Sequence, residues 1–550
     1  MTTAAPVKAL ASFHSWVGGR EVEGKGGVRP AVDPSTGEAF AQATLLDAAQ
    51  ADEAMAAAHA AFPAWSRTSF AERRRRLDRL REAILAHADE LAELVEREQG
   101  KPLAEARVAE VLPSLDALRH LSEHAEDLLR EDAVEPRQLL LAHKEARIVY
   151  EPVGVVLAVK PWNYPWVQAL PVVASALVAG NTVVFKPAPA TTLVGLMLGR
   201  LAREAGFPEG VLNVLAVDDA VSARLVEDPR VGKIVFTGSV ATGRKVMAAA
   251  AKNLTPVVLE LGGKDPAIVC RDADLDRAAR GIVWAAFMNA GQTCASVERV
   301  YVERPVAEAF LAKVLAEARR VHDGGAAQMG PMTMERQRAI VEQHVRDAVS
   351  RGARVVLGGE RPAGPGFRYP PTVLTNVDHT MLVMRDETFG PVLPIMAVDS
   401  LDEAIRLAND SSYGLTASGW TRSDETARRL QRELVAGVVS INDHVSSYGE
   451  PTAPWGGVGW SGFGRMHGLA GLREMVRPKY ASLDRGRMPA ELWWYPYDRE
   501  LDALVRHAAP ALYSTSLLKR VAGQLGLLRF GRLWRRFGPW RLLANLDKLF

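Results

Sequence analysis

Hydrophobic positions along the chain follow two different periods, and the change between them falls near residue 147. From residue 49 to about residue 130, apolar residues recur roughly every 3.6 positions, and a Ser69–Glu72 capping box precedes one such run. After residue 147, short apolar runs alternate with helical patterns. The runs that predict strands are Val153–Val159, Thr182–Phe185, Val211–Leu215, Lys233–Phe236, Pro256–Leu259 and Pro266–Val269. Such strands, separated by helices, predict an α/β protein with parallel sheets covered on both faces.

The remaining pattern and the length indicate more than one domain. A second α/β stretch runs from Cys294 to about Asn442, and the Gly-rich stretch Gly456–Gly464 predicts a loop with tight turns. A chain of 550 residues is too long for one compact core, so about two or three domains are expected.

Composition narrows the class of protein only slightly. The net charge of +2 argues neither for nor against a polyanionic partner. Two cysteines, Cys270 and Cys294, exclude a disulfide framework and are too few for a cysteine-built zinc cluster, so we expect no metal site and a reducing compartment. The first residues lack the pattern of a secretory signal, and no window reaches the roughly 18 consecutive apolar residues of a membrane span. The expected location is cytoplasmic.

Three residues are candidates for catalysis. A lone cysteine such as Cys294 is more often a small buried apolar residue, but as a thiolate it is a nucleophile that needs a base and an oxyanion donor. Glu260 ends a predicted strand and precedes two glycines, which places a carboxylate at the carboxyl end of the sheet, although a turn glutamate is an equal alternative. Asn163 lies between two prolines beyond another strand. Its amide can donate to an oxyanion, but alone it is an ordinary turn residue.

Another group of residues is a candidate cofactor site. Gly238, Ser239 and Gly243 follow the predicted strand Lys233–Phe236 and open a helix near Val240, where backbone N–H groups can hold a pyrophosphate. The spacing is not the usual dinucleotide fingerprint, and a glycine pair alone is weak evidence. Lys186, at the end of a strand, can reach a ribose hydroxyl or a phosphate.

Taken together and in order, these motifs resemble the aldehyde dehydrogenase superfamily over about residues 15–484. The matching segments are 161–165 (PWNYP), 185–187 (FKP), 236–239 (FTGS), 260–264 (ELGGK), 291–294 (GQTC), 387–391 (ETFGP), 454–457 (PWGG) and 461–465 (SGFGR). Any one of these motifs could arise by chance, but so many of them in the same order are specific for the family.

The resemblance implies a hydrolytic aldehyde oxidation with NAD or NADP. It implies that Cys294 attacks the aldehyde, that Asn163 and the Cys294 N–H hold the oxyanion, and that Glu260 activates water to hydrolyse the resulting thioester. Glu260 also argues against the branch that passes the acyl group to coenzyme A, because thioester hydrolysis at neutral pH needs a base. The positions that match cofactor contacts are Trp162, Lys186, Gly238, Ser239, Gly243, Glu387 and Phe389.

Departures from the family pattern bear on cofactor and substrate. Many NAD-preferring relatives carry a glutamate three residues after the lysine, where this chain has Pro189, so NADP is not disfavoured by charge. Gly459 and Met466 replace a lysine and a glutamate of many relatives. The pattern is closer to the branch acting on medium and long aliphatic or aromatic aldehydes, which favours an apolar substrate.

The implied fold has three parts and forms a homodimer or a homotetramer. A Rossmann-type cofactor domain would comprise residues 1–130 and 151–260, and an α/β catalytic domain residues 261–463. A small β element, residues 131–150 and 464–484, would join subunits. Two alternatives of other classes remain: a catalytically silent binding or structural protein with this fold, and a protein that works by membrane recruitment.

Residues 485–550 form an extension beyond the resemblance. It opens with an aromatic cluster at 493–497, and basic residues then interleave with apolar ones. The basic residues are Lys519, Arg520, Arg529, Arg532, Arg535, Arg536, Arg541 and Lys548. A peripheral helix on an anionic membrane is favoured slightly over packing against the protein. Nucleic-acid binding has no other support in the chain and is not expected.

Overall fold

The structure is a computed structural model that describes residues 10–136, 141, 143–486, 491, 493–495, 497–527 and 529. The chain forms two compact units. The first comprises Met1–Leu129 and Pro152–Arg477, and the second comprises Arg130–Glu151 and Pro478–Phe550. Each unit is described separately below.

Strands of the described residues are numbered in chain order. They are β1 (Ala11–Phe13), β2 (Ser15–Val17), β3 (Arg20–Val22), β4 (Val28–Asp33), β5 (Glu38–Thr44), β6 (Asp132–Val134), β7 (Glu145–Pro152), β8 (Val155–Val159), β9 (Thr182–Lys186), β10 (Leu212–Val214), β11 (Val231–Thr237), β12 (Val257–Glu260), β13 (Asp265–Val269), β14 (Val297–Glu303), β15 (Arg354–Leu357), β16 (Thr372–Thr375), β17 (Val392–Val398), β18 (Thr416–Trp420), β19 (Val438–Ile441), β20 (Gly462–Phe463) and β21 (Val476–Leu483).

The α-helices are numbered in the same way. They are α1 (Ala48–Trp65), α2 (Phe70–Ala86), α3 (Ala88–Gln99), α4 (Leu103–Ala106), α5 (Leu112–Leu128), α6 (Leu170–Val178), α7 (Thr192–Glu204), α8 (Asp219–Val226), α9 (Val240–Ala250), α10 (Leu275–Phe287), α11 (Ala307–Asp323), α12 (Glu335–Ser350), α13 (Leu382–Arg385), α14 (Leu401–Asn409), α15 (Asp424–Glu433), α16 (Gly468–Arg473), α17 (Arg499–Tyr513) and α18 (Leu517–Leu527).

An eight-stranded sheet in the first unit has the order β20-β12-β11-β8-β9-β10-β2-β3. The chain passes from β8 outward through β9 and β10, and then returns to the other side of β8 for β11 and β12. The order therefore reverses between β8 and β11, and open α/β sheets bind ligands beyond the carboxyl ends of the strands at such a point. Every residue of β8 and β9 is buried, which agrees with the continuous apolar runs of the sequence.

A seven-stranded sheet in the same unit has the order β15-β16-β17-β14-β13-β18-β19. Its central strands β13 and β14 are parallel and wholly buried. Helix α10 packs on it with an apolar face that includes Ala278, Ile282 and Ala286, all fully buried. The loop between α10 and β14 contains Cys294, so this core fixes both ends of the loop.

Within the second unit, β21, β7 and β6 form a three-stranded sheet, and α17 and α18 pack on each other. The two helices approach closely, because a Cβ at Gly523 would lie 2.6 Å from the Ala511 backbone nitrogen. Lys144 Nζ lies 3.1 Å from Asp484 and 3.2 Å from Glu491. His143 contacts the same two carboxylates, so these four side chains form an ion-pair network.

Local signals of the sequence recur in the structure with small differences. Ser69 caps α2 by accepting a hydrogen bond from the Glu72 N–H at 3.2 Å. Among the described residues, the Glu72 carboxylate pairs with Arg75 and Arg76, so only half of the predicted capping box is formed. The Gly-rich loop also contributes β20, which pairs antiparallel with β12 and places Gly462 opposite Glu260. The sequence pattern did not predict this strand.

Candidate active site

The Cys294 loop is held by buried polar groups on both sides. Gln292 is fully buried, donates to Asn289 O at 3.0 Å and accepts from the Thr333 N–H at 2.9 Å. Asn289 has a positive φ of 53° and donates to Gln292 O at 3.0 Å. Gly291 has a φ of +70°, and a Cβ there would lie 2.2 Å from Gly390 O. The loop therefore has one tightly specified path, which ends at the half-buried Cys294.

Asn163 contacts the same loop. Its Nδ2 donates to Gln292 O at 2.9 Å, and its Oδ1 lies 3.4 Å from Gln168 Nε2. The backbone carbonyl of Asn163 accepts from Asn289 Nδ2 at 2.8 Å. One hydrogen of the Asn163 amide is therefore engaged and its orientation is fixed, which leaves the second hydrogen for another acceptor.

Glu260 lies at the end of β12 and is 3% exposed. Its Oε1 atom is buried and has no hydrogen-bond partner among the described residues. Burial raises the pKa of Glu260 to about 8, while Lys160 and Arg465 oppose the shift. A carboxylate with a pKa in this range can take a proton near neutral pH, as a general base must.

The Cys294 thiol is electrostatically close to three carboxyl groups. Burial, with Asp265, Glu260 and Glu387, raises the pKa of the thiol above its usual value. The structure therefore brings the predicted nucleophile and the predicted base together, in surroundings where the thiol stays protonated until a positive charge or a base favours the thiolate.

The segment 387–389 lies against the glycines that follow Glu260. Glu387 Oε1 accepts from the Gly263 N–H at 3.0 Å, and a Cβ at Gly262 would lie 2.4 Å from the Glu387 carboxylate. Burial raises the pKa of Glu387 to about 8. The Phe389 ring meets Trp162 edge to face, with centroids 5.5 Å apart. Glu387, Phe389 and Trp162 thus lie together at one side of the crevice.

Residues predicted to hold the cofactor surround the sheet reversal. Ser239 caps α9, accepting from the Thr242 N–H at 3.3 Å, and Val240 and Ala241 carry the first N–H groups of this exposed helix start. At Gly243 a Cβ would lie 2.6 Å from Leu261, so the helix packs close to the loop after β12. Gly238 precedes the cap, and its N–H donates to Glu260 O at 3.0 Å.

Lys186 ends β9 on the other side of the reversal. It is 5% exposed, and burial lowers its pKa to about 8 while Asp219 opposes the shift. A buried ammonium and an open helix start on opposite sides of the reversal suit the ribose and phosphates of a dinucleotide. The residues present therefore fit NAD or NADP.

A pocket adjoins this site within the first unit. Its walls come from α5, α6 and the loop 448–468, and they include Leu121, Val167, Pro171, Tyr448 and His467. The Tyr448 and His467 rings meet at 4.8 Å. Cys294 and Glu260 both raise the pKa of Tyr448, after its burial, which places this wall near the two candidate catalytic groups.

Several buried charges that organise the site were not found in the sequence. Lys264 pairs with Glu298 at 2.5 Å, and Glu298 accepts from the N–H groups of Thr388 and Phe389 at 2.8 Å each. Lys101 pairs with Glu110 at 3.0 Å and donates to Asn163 O. Only the burial of these four side chains in the folded protein marks them.

Lys160, between β8 and Trp162, was also missed, although a lysine directly after a wholly apolar strand is a visible signal. It is 2% exposed, and its Nζ donates to Thr237 Oγ1 at 3.0 Å.

Comparisons with known proteins agree with this architecture. A model described as the aldehyde dehydrogenase family matches residues 22–481. The chain is 40% identical to a 4,4'-diapolycopene aldehyde oxidase from Methylomonas sp over 440 residues, which cover 79% of this chain and 81% of that protein. The structure of an NAD-dependent aldehyde dehydrogenase from Sinorhizobium meliloti matches with a TM-score of 0.84 and 37% identity, covering 89% of this chain and 97% of that chain. An E. coli NADP dependent enzyme matches with a TM-score of 0.82 and 34% identity, covering 86% and 98%.

The sheet reversal and the open helix start at Ser239 fit an α/β protein that binds a dinucleotide. The chain belongs to the aldehyde dehydrogenase family, and it oxidises an aldehyde to the carboxylic acid with NAD or NADP. The predicted fold class, family and reaction are confirmed. Both cofactors occur among the similar proteins.

Proposed function

We propose that Cys294 is the nucleophile, Glu260 the base and Asn163 the oxyanion donor. The observation that carries the assignment is that Asn163 Nδ2 is hydrogen-bonded to the loop that holds Cys294, beside the buried carboxyl group of Glu260. The Cys294 thiol gives its proton to solvent, its sulfur bonds to the aldehyde carbon as the C=O π bond opens, and the oxygen that becomes negative is held by the Asn163 amide and the Cys294 N–H. A bound NAD or NADP would supply the hydride acceptor, and loss of hydride from that carbon would leave a thioester on Cys294.

Hydrolysis then returns Cys294 to its starting state. Glu260 takes a proton from water as the water oxygen bonds to the thioester carbon, and the carbon–sulfur bond breaks. The carboxylic acid leaves, and the sulfur regains a proton. The unpartnered Oε1 of Glu260 supports this role, because a base must have a free lone pair for the water proton.

The cofactor contacts are part of the same proposal. We assign the pyrophosphate to the helix start at Gly238, Ser239 and Gly243, the ribose to Lys186, and the nicotinamide side to Trp162, Glu387 and Phe389. Pro189 is exposed and brings no carboxylate to this region. Since nothing at this position repels a 2′-phosphate, both NAD and NADP are expected to be accepted.

The substrate is proposed to be an apolar aldehyde, aliphatic or aromatic. The pocket beside the site has apolar walls from Leu121, Val167 and Pro171, and Tyr448, whose pKa is raised by burial and by Cys294, is also in its lining. Contact with these walls stabilises an apolar substrate by about 25 cal/mol per Å² of apolar surface removed from water.

We also propose the bounds of the three parts of the fold. Residues 1–130 and 151–260 are assigned to cofactor binding, 261–463 to catalysis, and 131–150 with 464–484 to a β element that joins subunits. As the family resemblance implies, the chain is proposed to form a homodimer or a homotetramer, and its proposed location is the cytoplasm.

The C-terminal extension is proposed to contact membranes peripherally. No helix of the described residues is long and apolar enough to span a bilayer. Leu517 and Leu518 of α18 are 73% and 83% exposed, and Lys519 and Arg520 follow directly. The basic residues Arg532, Arg535, Arg536, Arg541 and Lys548 lie outside the described residues.

The membrane proposal is tested with anionic vesicles, which the full-length protein should bind. The double variant Leu517→Asp/Leu518→Asp should lose this binding, whereas the control variant Val349→Asp, on α12, should keep it. Equal binding by all three would contradict the proposal.

The function is tested by NAD(P)H formation with a graded series of aliphatic and aromatic aldehydes and both cofactors. We expect kcat/KM to rise with the apolar length of the aldehyde and both cofactors to be reduced. A preference for short, charged aldehydes would contradict the proposed substrate class.

A further inference from the structure

Lys160, Thr237 and Glu260 lie side by side at the ends of three neighbouring strands. In the parallel register, Val159 of β8 pairs with Phe236 of β11, and Thr237 of β11 pairs with Glu260 of β12. Lys160 directly follows Val159, and Thr237 directly follows Phe236, so Lys160 lies opposite Thr237. Side chains at paired positions project from the same face of a sheet, so Lys160 and Glu260 flank Thr237 on one face.

The surroundings of Lys160 are unusual for a cation. Its Nζ donates to Thr237 Oγ1 at 3.0 Å and lies 3.5 Å from Met466 Sδ, and both partners are neutral. Among the described residues, no carboxylate lies within ion-pair distance of Nζ. A buried ammonium without an opposite charge is costly, so the cation depends on a negative group slightly farther away.

Glu260 supplies that negative group. It is the carboxyl group that favours the charged form of Lys160, and Lys160 in turn favours the carboxylate of Glu260 more than Arg465 does. Burial lowers the pKa of Lys160 to about 7 and raises that of Glu260 to about 8, in each case against the opposing effect of the other group. The charged form of each group is therefore stabilised by the opposite charge of the other.

Other titratable or charged groups face the pair from neighbouring segments. Arg465 lies near Glu260, and its Nη1 donates to Gly464 O at 2.6 Å and to Gly457 O at 3.2 Å. His467 lies near Lys160, and burial lowers its pKa to about 4, so it is neutral at physiological pH. Burial, with Glu260 among the nearby charges, raises the pKa of both Cys294 and Tyr448, so these groups stay protonated in the neutral range. Lys160 is thus the nearby cation that can lose its proton in the neutral range.

We propose that Lys160 is a positioning residue that shares one proton with Glu260 and thereby sets how much Glu260 is available as a base. When the proton is on Lys160, Glu260 is a carboxylate and can accept a proton from the hydrolytic water. When the proton is on Glu260, Lys160 is a neutral amine and Glu260 cannot accept a proton from water, so the thioester is not hydrolysed. The inference rests on the proposed role of Glu260 in thioester hydrolysis.

The test separates formation of the thioester from its hydrolysis. Rapid mixing of full-length enzyme with cofactor and aldehyde gives a burst of NAD(P)H for thioester formation and a steady rate when hydrolysis is slow. Lys160→Met keeps the length of the side chain but removes its charge. We expect Lys160→Met to retain the burst. The acid limb of the pH profile, where the steady rate falls as pH falls, should move to higher pH by about one unit or more. That shift lowers the steady rate below the limb about tenfold.

Lys160→Arg provides the opposite change. Its charge is permanent, so Glu260 should ionise at lower pH, and the same limb should move downward. Lys233→Met is the matched control, because Lys233 is a buried lysine of β11 that pairs with Glu474. It should leave the limb where it is in the unchanged enzyme.

An infrared measurement without cofactor gives a second readout that needs no turnover. The C=O stretch of a protonated carboxyl group that disappears in Glu260→Gln is followed as pH rises. Its midpoint should be higher in Lys160→Met than in the unchanged enzyme. An identical midpoint and an unmoved kinetic limb in folded Lys160→Met would overturn the role of Lys160. A Glu260→Gln enzyme with a normal steady rate would instead overturn the proposed role of Glu260.

Discussion

The two sides of the active site differ in how their polar groups are satisfied. On the nucleophile side, Asn163 Nδ2 and Gln292 Nε2 donate to backbone carbonyls of the Cys294 loop, and Gln292 Oε1 accepts from the Thr333 N–H. On the base side, Glu260 Oε1 and both ring nitrogens of His467 are buried without a hydrogen-bond partner among the described residues.

This difference corresponds to two tasks. An oxyanion donor must stay in one orientation throughout the reaction, and hydrogen bonds to the other atoms of the Asn163 amide fix that orientation while one N–H stays available. A base must change its protonation state, and a saturated carboxylate would resist that change because each hydrogen bond to the charged form lowers its pKa. Hydrogen bonds therefore fix the orientation of the groups on the nucleophile side, whereas the protonation state of Glu260 on the base side can change.

The largest expected effect falls on the nucleophile. Cys294→Ala should lower kcat by more than about 10⁴-fold, as removal of a catalytic nucleophile does. Cys270→Ala is the matched control, since Cys270 is buried and burial raises its pKa to about 12. Steady-state NAD(P)H formation measures both. Comparable losses in the two variants, or residual turnover in Cys294→Ala, would show that the wrong thiol has been assigned.

The fixed orientation of Asn163 is tested by shortening it. Asn163→Ala should lower kcat by about 10²–10³-fold, the usual effect of losing one oxyanion donor. Asn181→Ala is a buried comparison outside the site, where the amide donates to Met475 O at 2.8 Å. It should lower Tm and leave kcat nearly unchanged. If Asn163→Ala changes Tm alone, the residue only holds the loop.

A smaller effect follows from the adjustable charge of Glu260. Its raised pKa of about 8 means that the carboxylate, the active form, is lost as pH falls through that value. The rate of thioester hydrolysis should therefore fall about tenfold for each pH unit below the limb, while the NAD(P)H burst persists. Rapid-mixing kinetics over a pH series measure both phases. A hydrolysis rate that stays flat below the limb is incompatible with Glu260 as the base.

Much of this site was predictable because its residues lie in local motifs. Glu260 and Asn163 each follow a strand whose apolar run is visible in the sequence, and parallel strands bring their carboxyl ends together. Cys294 was found instead from the motif of residues 291–294. The buried pairs Lys264–Glu298 and Lys101–Glu110 were not predictable, because a charged residue in the sequence does not show whether the fold buries it. Strand β20 was missed since its two residues lie in a Gly-rich stretch.

The extension illustrates the opposite limit. Its composition predicted a basic amphipathic segment but did not define a periodic face. The structure gives α17 and α18 and shows that Gly523 and Gly526 of α18 pack against α17, while Leu517, Leu518 and Leu525 remain exposed. Periodicity alone did not reveal this, because glycine at a helix contact carries no apolar signal.

The central claim is a thioester on Cys294 that only Glu260 can resolve, and intact-protein mass spectrometry of Glu260→Gln tests it most directly. After mixing with cofactor and an apolar aldehyde, the account predicts one equivalent of NAD(P)H and a protein heavier by one acyl group, located on the peptide containing Cys294. An unmodified protein, or an acyl group elsewhere, would contradict the account.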